Sequence, residues 1–406
     1  MTPQPALAAS LTLRCGATLP NRIAKAAMSE QLAAPGHLPD ARLVRLYERW
    51  GAGGAGLLIT GNVMIDPAAL GEPGNVVLEA GTDLAPFRAW AEAARGGGAQ
   101  AWVQLNHPGR QSPRTLSAEP VAPSAVGVKG LGPAFAQPRA LDALEVEALV
   151  ERFAVAAALS ERAGFGGIQI HAAHGYLISQ FLSPLANVRD DAWGGDPPRR
   201  RRFLFEVLRA TRAATQPGFA IGVKLNSADF QRGGFSERES LEVVRLLGEE
   251  AVDLIEISGG TYERAAMWEG TPQQSSTRAR EAYFLEFAER ARDVTRAPLM
   301  LTGGFRSLEG MQAALASGAV DVIGLARPLA AEPDLPARLL AGEASAALPI
   351  RLGLGSRKLN LLVEGSWYQV QLQRMGSGKD PDPRMSSLRA LASGLCGAFR
   401  RPRRGL

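Results

Sequence analysis

The segment L-M-L-T-G-G-F at residues 299–305, the helical pattern at Ser307–Ser317 and the segment V-I-G-L-A-R-P at residues 322–328 decide the fold. Two short apolar runs flank one amphipathic segment, as expected for two buried parallel strands connected by a helix. Six earlier runs have the same character, and a helical pattern follows most of them. The eight predicted strands are Ile23–Ala27, Gly56–Thr60, Ala101–Leu105, Gly167–Ile170, Ala220–Leu225, Leu254–Ile257, Leu299–Leu301 and Val322–Leu325.

Eight strands that alternate with helices predict an α/β protein built on a closed (β/α)8 TIM barrel. An open doubly wound sheet is the alternative, but no G-x-G-x-x-G motif follows the first strand. We assign residues 1–345 to the barrel and residues 346–406 to a C-terminal extension that ends in a loose basic tail. The stretch 375–387 is rich in Gly, Pro and Ser, which favours a linker or a loose tail. The predicted helices are Ala41–Trp50, Asp83–Arg95, Leu144–Arg162, Arg201–Ala214, Glu237–Glu249, Arg280–Val294 and Ser307–Ser317.

The composition of the chain excludes several classes of protein. With 406 residues, 46% hydrophobic and 21% charged, it is an ordinary soluble composition. Two cysteines, Cys15 and Cys396, are too few for a disulfide framework, a four-cysteine cluster or a structural zinc site. The sequence shows neither a signal peptide nor a membrane helix, so we expect a cytoplasmic protein. Most of the net charge of +5 comes from arginines after residue 383, so no nucleic-acid or membrane partner is predicted.

Three of the four histidines lie at the ends of predicted strands three and four, where barrel enzymes build their active sites. His107 follows the third strand, and His171 and His174 follow the fourth. A zinc site is disfavoured because the two histidines are spaced i, i+3 between alanines and Gly175 breaks the run; no metal is predicted. Histidines that only cap a strand end are a second interpretation. The third is a pair of neutral imidazole donors aimed at one oxygen, with Tyr176 as a nearby proton donor.

The ends of the last two predicted strands suit a phosphate group. Barrels often bind phosphate there through backbone N–H groups. Gly303 and Gly304 allow close backbone approach and Arg327 adds a bidentate cation, whereas an ordinary Gly-Gly turn is the alternative. Lys224 interrupts an apolar strand, which suits a partner for an anionic cofactor edge, an outward lysine or a core ion pair. The long loop Asn106–Asp142 leaves the third strand at the same end, where function is expected.

Eight motifs in a fixed order carry a resemblance to a known family. They are L-P-N-R-I-A-K-A-A-M-S (19–29), T-G-N-V-M (60–64), Q-L-N-H-P-G-R-Q (104–111), H-A-A-H-G-Y-L-I-S-Q-F-L-S-P (171–184), W-G-G (193–195), K-L-N (224–226), T-G-G (302–304) and A-R-P (326–328). Over residues 10–345 the chain resembles the old yellow enzyme family of FMN-dependent NAD(P)H:flavin oxidoreductases. The resemblance implies a noncovalently bound FMN at the barrel mouth.

The resemblance also implies which residues contact the flavin ring. The backbone around Ala27 and Met28 would line the ring, and Ser29 would tune its C4 carbonyl and N5. Gly61 would lie under the ring, and Gln104 would bond its pyrimidine edge.

The same resemblance implies the remaining contacts. Lys224 would face N1 and the C2 carbonyl and stabilise the negative charge of the reduced flavin. His171 and His174 would hold the activating oxygen of the substrate, and Tyr176 would donate the proton. The residues implied to hold the phosphate are Gly303, Gly304, Ala326 and Arg327.

The activity implied by the resemblance is an ene-reductase. NADH or NADPH gives hydride to flavin N5, N5 passes it to the β-carbon of an electron-poor alkene, and the tyrosine protonates the α-carbon. A flavin NAD(P)H oxidase or a C–N or C–H dehydrogenase on the same barrel is the alternative, and a non-catalytic barrel scaffold is a remote one. Whether the chain forms a homo-oligomer stays open at this stage.

Overall fold

The computed structural model describes residues 7–130, 132–258, 275–354 and 357–399. Eight parallel strands form a closed barrel, because each strand pairs with the next along the chain and the last pairs with the first. The predicted TIM barrel is therefore confirmed, and the open doubly wound sheet is wrong. The strands are β1 (Ile23–Lys25), β2 (Leu57–Met64), β3 (Gln100–Asn106), β4 (Gly167–Ala172), β5 (Ala220–Asn226), β6 (Leu254–Ser258), β7 (Leu299–Thr302) and β8 (Val322–Leu325).

Helices surround the barrel, and their starts follow local sequence signals. Asp142 and Ser236 cap two of them, each in a reciprocal capping box with the glutamate three residues later. Among the described residues, no helix is both long enough and apolar enough to cross a membrane. The helices are α1 (Ala41–Gly51), α2 (Ala85–Arg95), α3 (Ala143–Arg162), α4 (Leu177–Leu182), α5 (Pro197–Ala214), α6 (Glu237–Glu249), α7 (Ser275–Val294), α8 (Leu308–Ala316), α9 (Arg327–Ala331), α10 (Leu335–Leu340), α11 (Arg357–Gly376) and α12 (Ser387–Phe399).

The interior of the barrel has an apolar lower part and a polar upper part. An antiparallel hairpin, Leu11–Thr12 with Thr18–Leu19, lies at the N-terminal end, where Gln100 at the start of β3 contacts it. Trp102 is the largest fully buried side chain in the apolar part. Buried side chains of this kind each stabilise the fold by about 1.5–3 kcal/mol. Polar side chains replace the apolar ones toward the C-terminal ends of the strands, so the side chains that can bind a ligand or catalyse a reaction lie at the barrel mouth.

The C-terminal extension packs onto the barrel helices over its described part. The indole of Trp367 in α11 is fully buried and donates a hydrogen bond of 3.0 Å to the Met385 carbonyl. The Asp382 amide donates to the Gln371 side chain at 2.7 Å, and Arg45 of α1 reaches the Gly376 carbonyl at 2.9 Å. The stretch 375–387 thus folds back along α11.

Of the two interpretations of 375–387, the loose tail is wrong, whereas a linker agrees with the structure, because the stretch connects α11 to α12. Composition alone could not predict that this stretch folds back on α11, because the contacts come from Met385 and from polar groups of α11. The tail arginines from residue 400 onward lie outside the described residues. The division of the chain at residue 345 stays a prediction.

Candidate active site

His171, His174 and Tyr176 form one cluster at the C-terminal end of β4. His171 is still within the strand, one residue beyond the strand end that the sequence pattern predicted. Its ring centroid lies 5.0 Å from that of His174 and 4.9 Å from that of Tyr176, and both contacts are edge-to-face. The tyrosine is followed at once by α4, whose start fixes the direction of the chain. The structure therefore brings together the three side chains that the sequence analysis selected for chemistry.

Three neighbouring elements hold His174 in an unusual backbone conformation. Its φ of +62° lies in the left-handed region, which is costly for a residue other than glycine and is often found at functional sites. Its amide donates to Asn226 Oδ1 at 3.1 Å, and its carbonyl accepts from Gln111 Nε2 at 3.0 Å. Its Nε2 lies 2.8 Å from Ser258 Oγ. Residues from β5, β6 and the loop after β3 thus fix one imidazole.

Both imidazoles of the pair are neutral near pH 7. Burial lowers the pKa of His171 well below 6.5, and the charge of Lys224 lowers it further. The same causes, together with His171, lower the pKa of His174. The Ala173 amide donates to His171 Nδ1 at 3.3 Å, so the single proton of this neutral ring must be on Nε2. His171 therefore offers an N–H donor without a net charge.

A row of polar side chains crosses the barrel below this cluster. Lys224 Nζ on β5 lies 2.9 Å from Glu256 Oε1 on β6. Gln169 Nε2 donates to the other oxygen of Glu256 at 2.7 Å, and Gln104 Nε2 donates to Gln169 Oε1 at 2.7 Å. Lys224 thus points into the barrel and forms a buried ion pair. Of the alternatives that the sequence left open for this lysine, the outward one is wrong.

The ends of β1 and β2 bring together the residues predicted to line the flavin ring. The Ser29 hydroxyl donates a hydrogen bond to the Glu72 carboxylate. The Gly61 amide donates to Glu30 Oε1 at 2.9 Å, and a Cβ on Gly61 would overlap the Glu30 carboxylate and the Met28 carbonyl. No side chain therefore fits at Gly61. The partly buried Ala27 packs at the top of the apolar interior of the barrel.

A buried charge cluster lies directly outside β1 and was missed by the sequence analysis. Lys25 Nζ donates to the Ile59 carbonyl at 2.6 Å and to the Tyr47 hydroxyl at 3.1 Å. It lies 3.8 Å from the Glu30 carboxylate and 4.5 Å from the centre of the Trp50 ring. The signal was present, since a lysine interrupts the apolar run that forms β1. Burial lowers the pKa of Lys25 to about 8 and raises that of Tyr47 well above 10.

The predicted phosphate residues lie at the ends of β7 and β8. Gly303 and Gly304 have φ of +150° and +84°, which only glycine adopts readily. Ala326, which lies between β8 and α9, packs like Ala27 against the apolar interior. Arg327 is ion-paired with Glu364 of α11 in the C-terminal extension, a contact that the sequence did not predict. Helix α11 lies beyond the barrel in sequence, so no local pattern pointed to it.

The residues at the barrel mouth fit an FMN. Thr302 Oγ1 is buried at the end of β7 with no hydrogen-bond partner among the described residues, beside two glycines with positive φ. Glycine backbone with an arginine is a donor set that phosphates use in proteins. The amides and the lysine of the polar row supply donors of the type that the pyrimidine edge of a flavin requires. The same mouth presents two neutral imidazoles and a phenol to a second molecule.

Fold and site together define an α/β-barrel oxidoreductase that uses a flavin. The chain belongs to the NADH:flavin oxidoreductase / NADH oxidase family, the old yellow enzyme family, whose sequence model matches residues 10–345. FMN is its cofactor and a reduced nicotinamide nucleotide is its reductant. The resemblance stated from the motifs is confirmed.

Individual relatives agree with this assignment. An NADH-dependent flavin oxidoreductase from Hypocrea jecorina is 42% identical over 350 residues, which are 80% of this chain and 86% of that protein. The structure of morphinone reductase is similar with a TM-score of 0.72 at 27% identity, covering 85% of this chain and 92% of that one. A 2-naphthoyl-CoA reductase in complex with 2-naphthoyl-CoA shares the fold, with a TM-score of 0.80 at 22% identity; the match covers 91% of this chain and 58% of that longer one.

Proposed function

We propose that this protein reduces the carbon–carbon double bond of an α,β-unsaturated carbonyl compound, with NADH or NADPH as reductant. The observation that carries the proposal is the cluster of His171, His174 and Tyr176, in which two neutral imidazoles and one phenol meet at the barrel mouth. Such a set stabilises negative charge on an oxygen and supplies a proton nearby, as the reduction of an enone requires.

His171 and His174 bind the carbonyl oxygen of the substrate. As hydride reaches the β-carbon, negative charge grows on that oxygen, and donors that are already oriented stabilise it without reorganisation. Neutrality suits this task, because a neutral donor stabilises the charge without transferring its own proton. A Ser258 hydroxyl that donates to His174 Nε2 leaves the proton of that ring on Nδ1, so each ring offers one N–H.

Tyr176 is the proton donor to the α-carbon. The buried ring is held against His171 and by the start of α4, so its hydroxyl has a fixed position. A phenol, with an ordinary pKa near 10, stays protonated at neutral pH and can give its proton to a developing carbanion.

The flavin is held by the residues described above. Bound FMN supplies the hydride chemistry, which no amino-acid side chain provides. Ala27, Met28 and Ser29, which follow β1, and Gly61 in β2 would line its ring, and Gln104 and Lys224 would bond its pyrimidine edge. Gly303, Gly304, Ala326 and Arg327 would hold its phosphate.

The substitution Tyr176→Phe tests the proposal. It removes one hydroxyl and keeps the ring that packs on His171. We expect alkene reduction to fall by about a hundredfold or more, because general acid catalysis contributes on that order. Reduction of the bound flavin by NADH, followed at its visible absorption in a stopped-flow instrument, should be unchanged and serves as the internal control.

Two results would contradict the proposal. Unchanged alkene turnover in the phenylalanine variant would remove Tyr176 from the reaction. A wild-type protein that oxidises NADH but reduces none of a panel of enones and nitroalkenes would instead favour the alternative, an NAD(P)H oxidase or a C–N or C–H dehydrogenase on the same barrel.

A further inference from the structure

We propose that Glu256 is a positioning residue for the flavin, which acts through Lys224 and through Gln169 and Gln104 to lower the midpoint potential of the cofactor. The inference rests on the part of the proposed function that puts Lys224 and Gln104 at the pyrimidine edge. It adds a residue that touches neither cofactor nor substrate.

The geometry of the row is regular and fully enclosed. Lys224 and Glu256 are opposite one another in the register of β5 and β6, and their side chains are 5% and 0% exposed. Gln169 and Gln104 are opposite one another on β4 and β3 and are equally buried. Each of the four side chains projects inward from a different barrel strand, so the row spans four consecutive strands.

The carboxylate dictates the orientation of both amides. An ionised carboxylate only accepts hydrogen bonds, so Gln169 must point its NH₂ group at Glu256. The carbonyl oxygen of Gln169 then points at Gln104, which must donate its own NH₂ group. The negative charge of Glu256 thus determines that the NH₂ group of Gln104 points at Gln169, so the carbonyl oxygen of Gln104 is left for another partner.

The same carboxylate compensates the charge of Lys224. A lysine has four rotatable side-chain bonds, and the ion pair restricts its ammonium group to one position. A compensated lysine stabilises added negative charge less than an isolated one, because the carboxylate repels what the ammonium attracts. Reduction of the flavin puts negative charge next to Lys224. The paired lysine therefore stabilises the reduced flavin less than an unpaired lysine would.

A purely structural ion pair would have different consequences. Its loss would weaken folding, since an unpaired buried charge is costly, but it would leave the redox equilibrium of the flavin unchanged. The midpoint potential therefore separates the two roles, whereas stability and catalytic rate do not.

The test is the midpoint potential of the FMN-loaded protein, measured anaerobically against a reference dye, for wild type and Glu256→Gln. The substitution removes the charge and keeps the shape and one hydrogen bond to Gln169. We expect the potential to rise, with about a tenfold higher ratio of reduced to oxidised flavin at a fixed potential, as for loss of one charge about 10 Å away at an effective dielectric constant of about 20. Glu242→Gln, at a partly exposed ion pair with Arg245 on α6, is the matched control and should not shift the potential.

A second comparison tests whether the effect of Glu256 on the midpoint potential depends on Lys224. In the Lys224→Gln background the effect of Glu256→Gln should largely vanish, since a fully buried carboxylate without its lysine takes up a proton and no longer carries the charge that the substitution removes. Glu256→Asp, which keeps the charge but withdraws it by one methylene, should give a smaller rise and serves if the glutamine variant does not fold.

The outcomes separate this inference from the proposed function. An unchanged potential in both Glu256 variants, or an equal shift with and without Lys224, overturns the role of Glu256 even if alkenes are reduced. A lysine-dependent shift in a protein that reduces no alkene supports the role of Glu256 and contradicts the proposed substrate.

Discussion

Replacing Lys25 by methionine should change how the stability of the protein depends on pH. The ammonium group is completely buried between β1 and α1, and burial lowers its pKa from 10.5 to about 8 despite the nearby Glu30 carboxylate. Methionine has a similar length, carries no charge and can fill the space that the methylene groups of the lysine occupy. The difference in unfolding free energy between the two proteins, followed against pH, isolates the linkage of this one group.

The sign follows from the two pKa values. Below pH 8 the lysine is protonated in both native and unfolded chains, and the cost of the buried charge is fully present. Between pH 8 and 10.5 the unfolded chain binds more protons than the native chain, so the stability of the wild type rises with pH relative to Lys25→Met. A shift of 2.5 units corresponds to a total gain of about 3 kcal/mol, of which about 2 kcal/mol falls between pH 8 and 10.

Urea unfolding at pH 7, 8, 9 and 10 in saturating FMN measures the effect. Lys379→Met, at an exposed position after α11, is the control and should run parallel to the wild type. The range must end near pH 10, because the raised pKa of Tyr47 makes stability fall above that point, as the unfolded chain then loses a phenolic proton that the native chain keeps. Parallel curves for wild type and Lys25→Met from pH 7 to 10 would refute the reasoning.

Three further substitutions test other contacts. Glu364→Gln should tighten FMN binding about threefold to tenfold, measured by quenching of flavin fluorescence on titration into apoprotein, because Arg327 no longer pairs with a carboxylate; weaker binding would contradict the assignment. Met385→Ala should lower the unfolding free energy by about 2–4 kcal/mol in urea with FMN affinity unchanged; a loss below about 1 kcal/mol would mean that this side chain does not anchor α11. In the wild type, the unfolding free energy should fall as the pH drops below about 6.5, because only the unfolded chain then protonates His171 and His174. The double variant His171→Asn, His174→Asn should show a smaller fall, and identical falls in both proteins would count against buried neutral imidazoles.

The barrel could be predicted from the sequence because strands buried on both faces have a strong local signal. The runs that form β5 and β6 are almost wholly apolar, and the structure extends each predicted strand by a single residue. The ends of the strands were harder to predict, since they depend on pairing with neighbouring strands. His171 lies within β4 because it pairs with Lys224 of β5. The cluster of His171, His174 and Tyr176 needed only the rule that barrel sites lie at the C-terminal ends of strands.

Contacts between distant segments were harder to predict. The pair of Lys224 and Glu256 had a usable signal, because each is the only charged residue in its strand and the two strands are neighbours in any eight-stranded barrel of this order. The pair of Arg327 and Glu364 had none, because it depends on how α11 docks after the barrel is complete. The fold-back of 375–387 also depends on tertiary contacts, which composition does not encode.

Three carboxylates contact residues that the resemblance assigned to the flavin, and only for Lys224 was an ion pair among the interpretations of the sequence. Glu72 accepts from Ser29, Glu256 pairs with Lys224, and Glu364 pairs with Arg327. They come from a loop, a barrel strand and the C-terminal extension, so no single element imposes the pattern.

The common consequence is electrostatic. Ser29 and the two predicted cations, Lys224 and Arg327, already have anionic partners, so the site would not attract FMN as strongly as its arginine and lysine alone would suggest. Affinity must then come from backbone N–H groups and from packing of the ring, which carry no net charge and do not change on reduction. If these residues hold the flavin as proposed, the site stabilises the reduced flavin less than a site with uncompensated cations would. On the proposed function, this difference would make the bound cofactor a stronger hydride donor toward an electron-poor alkene.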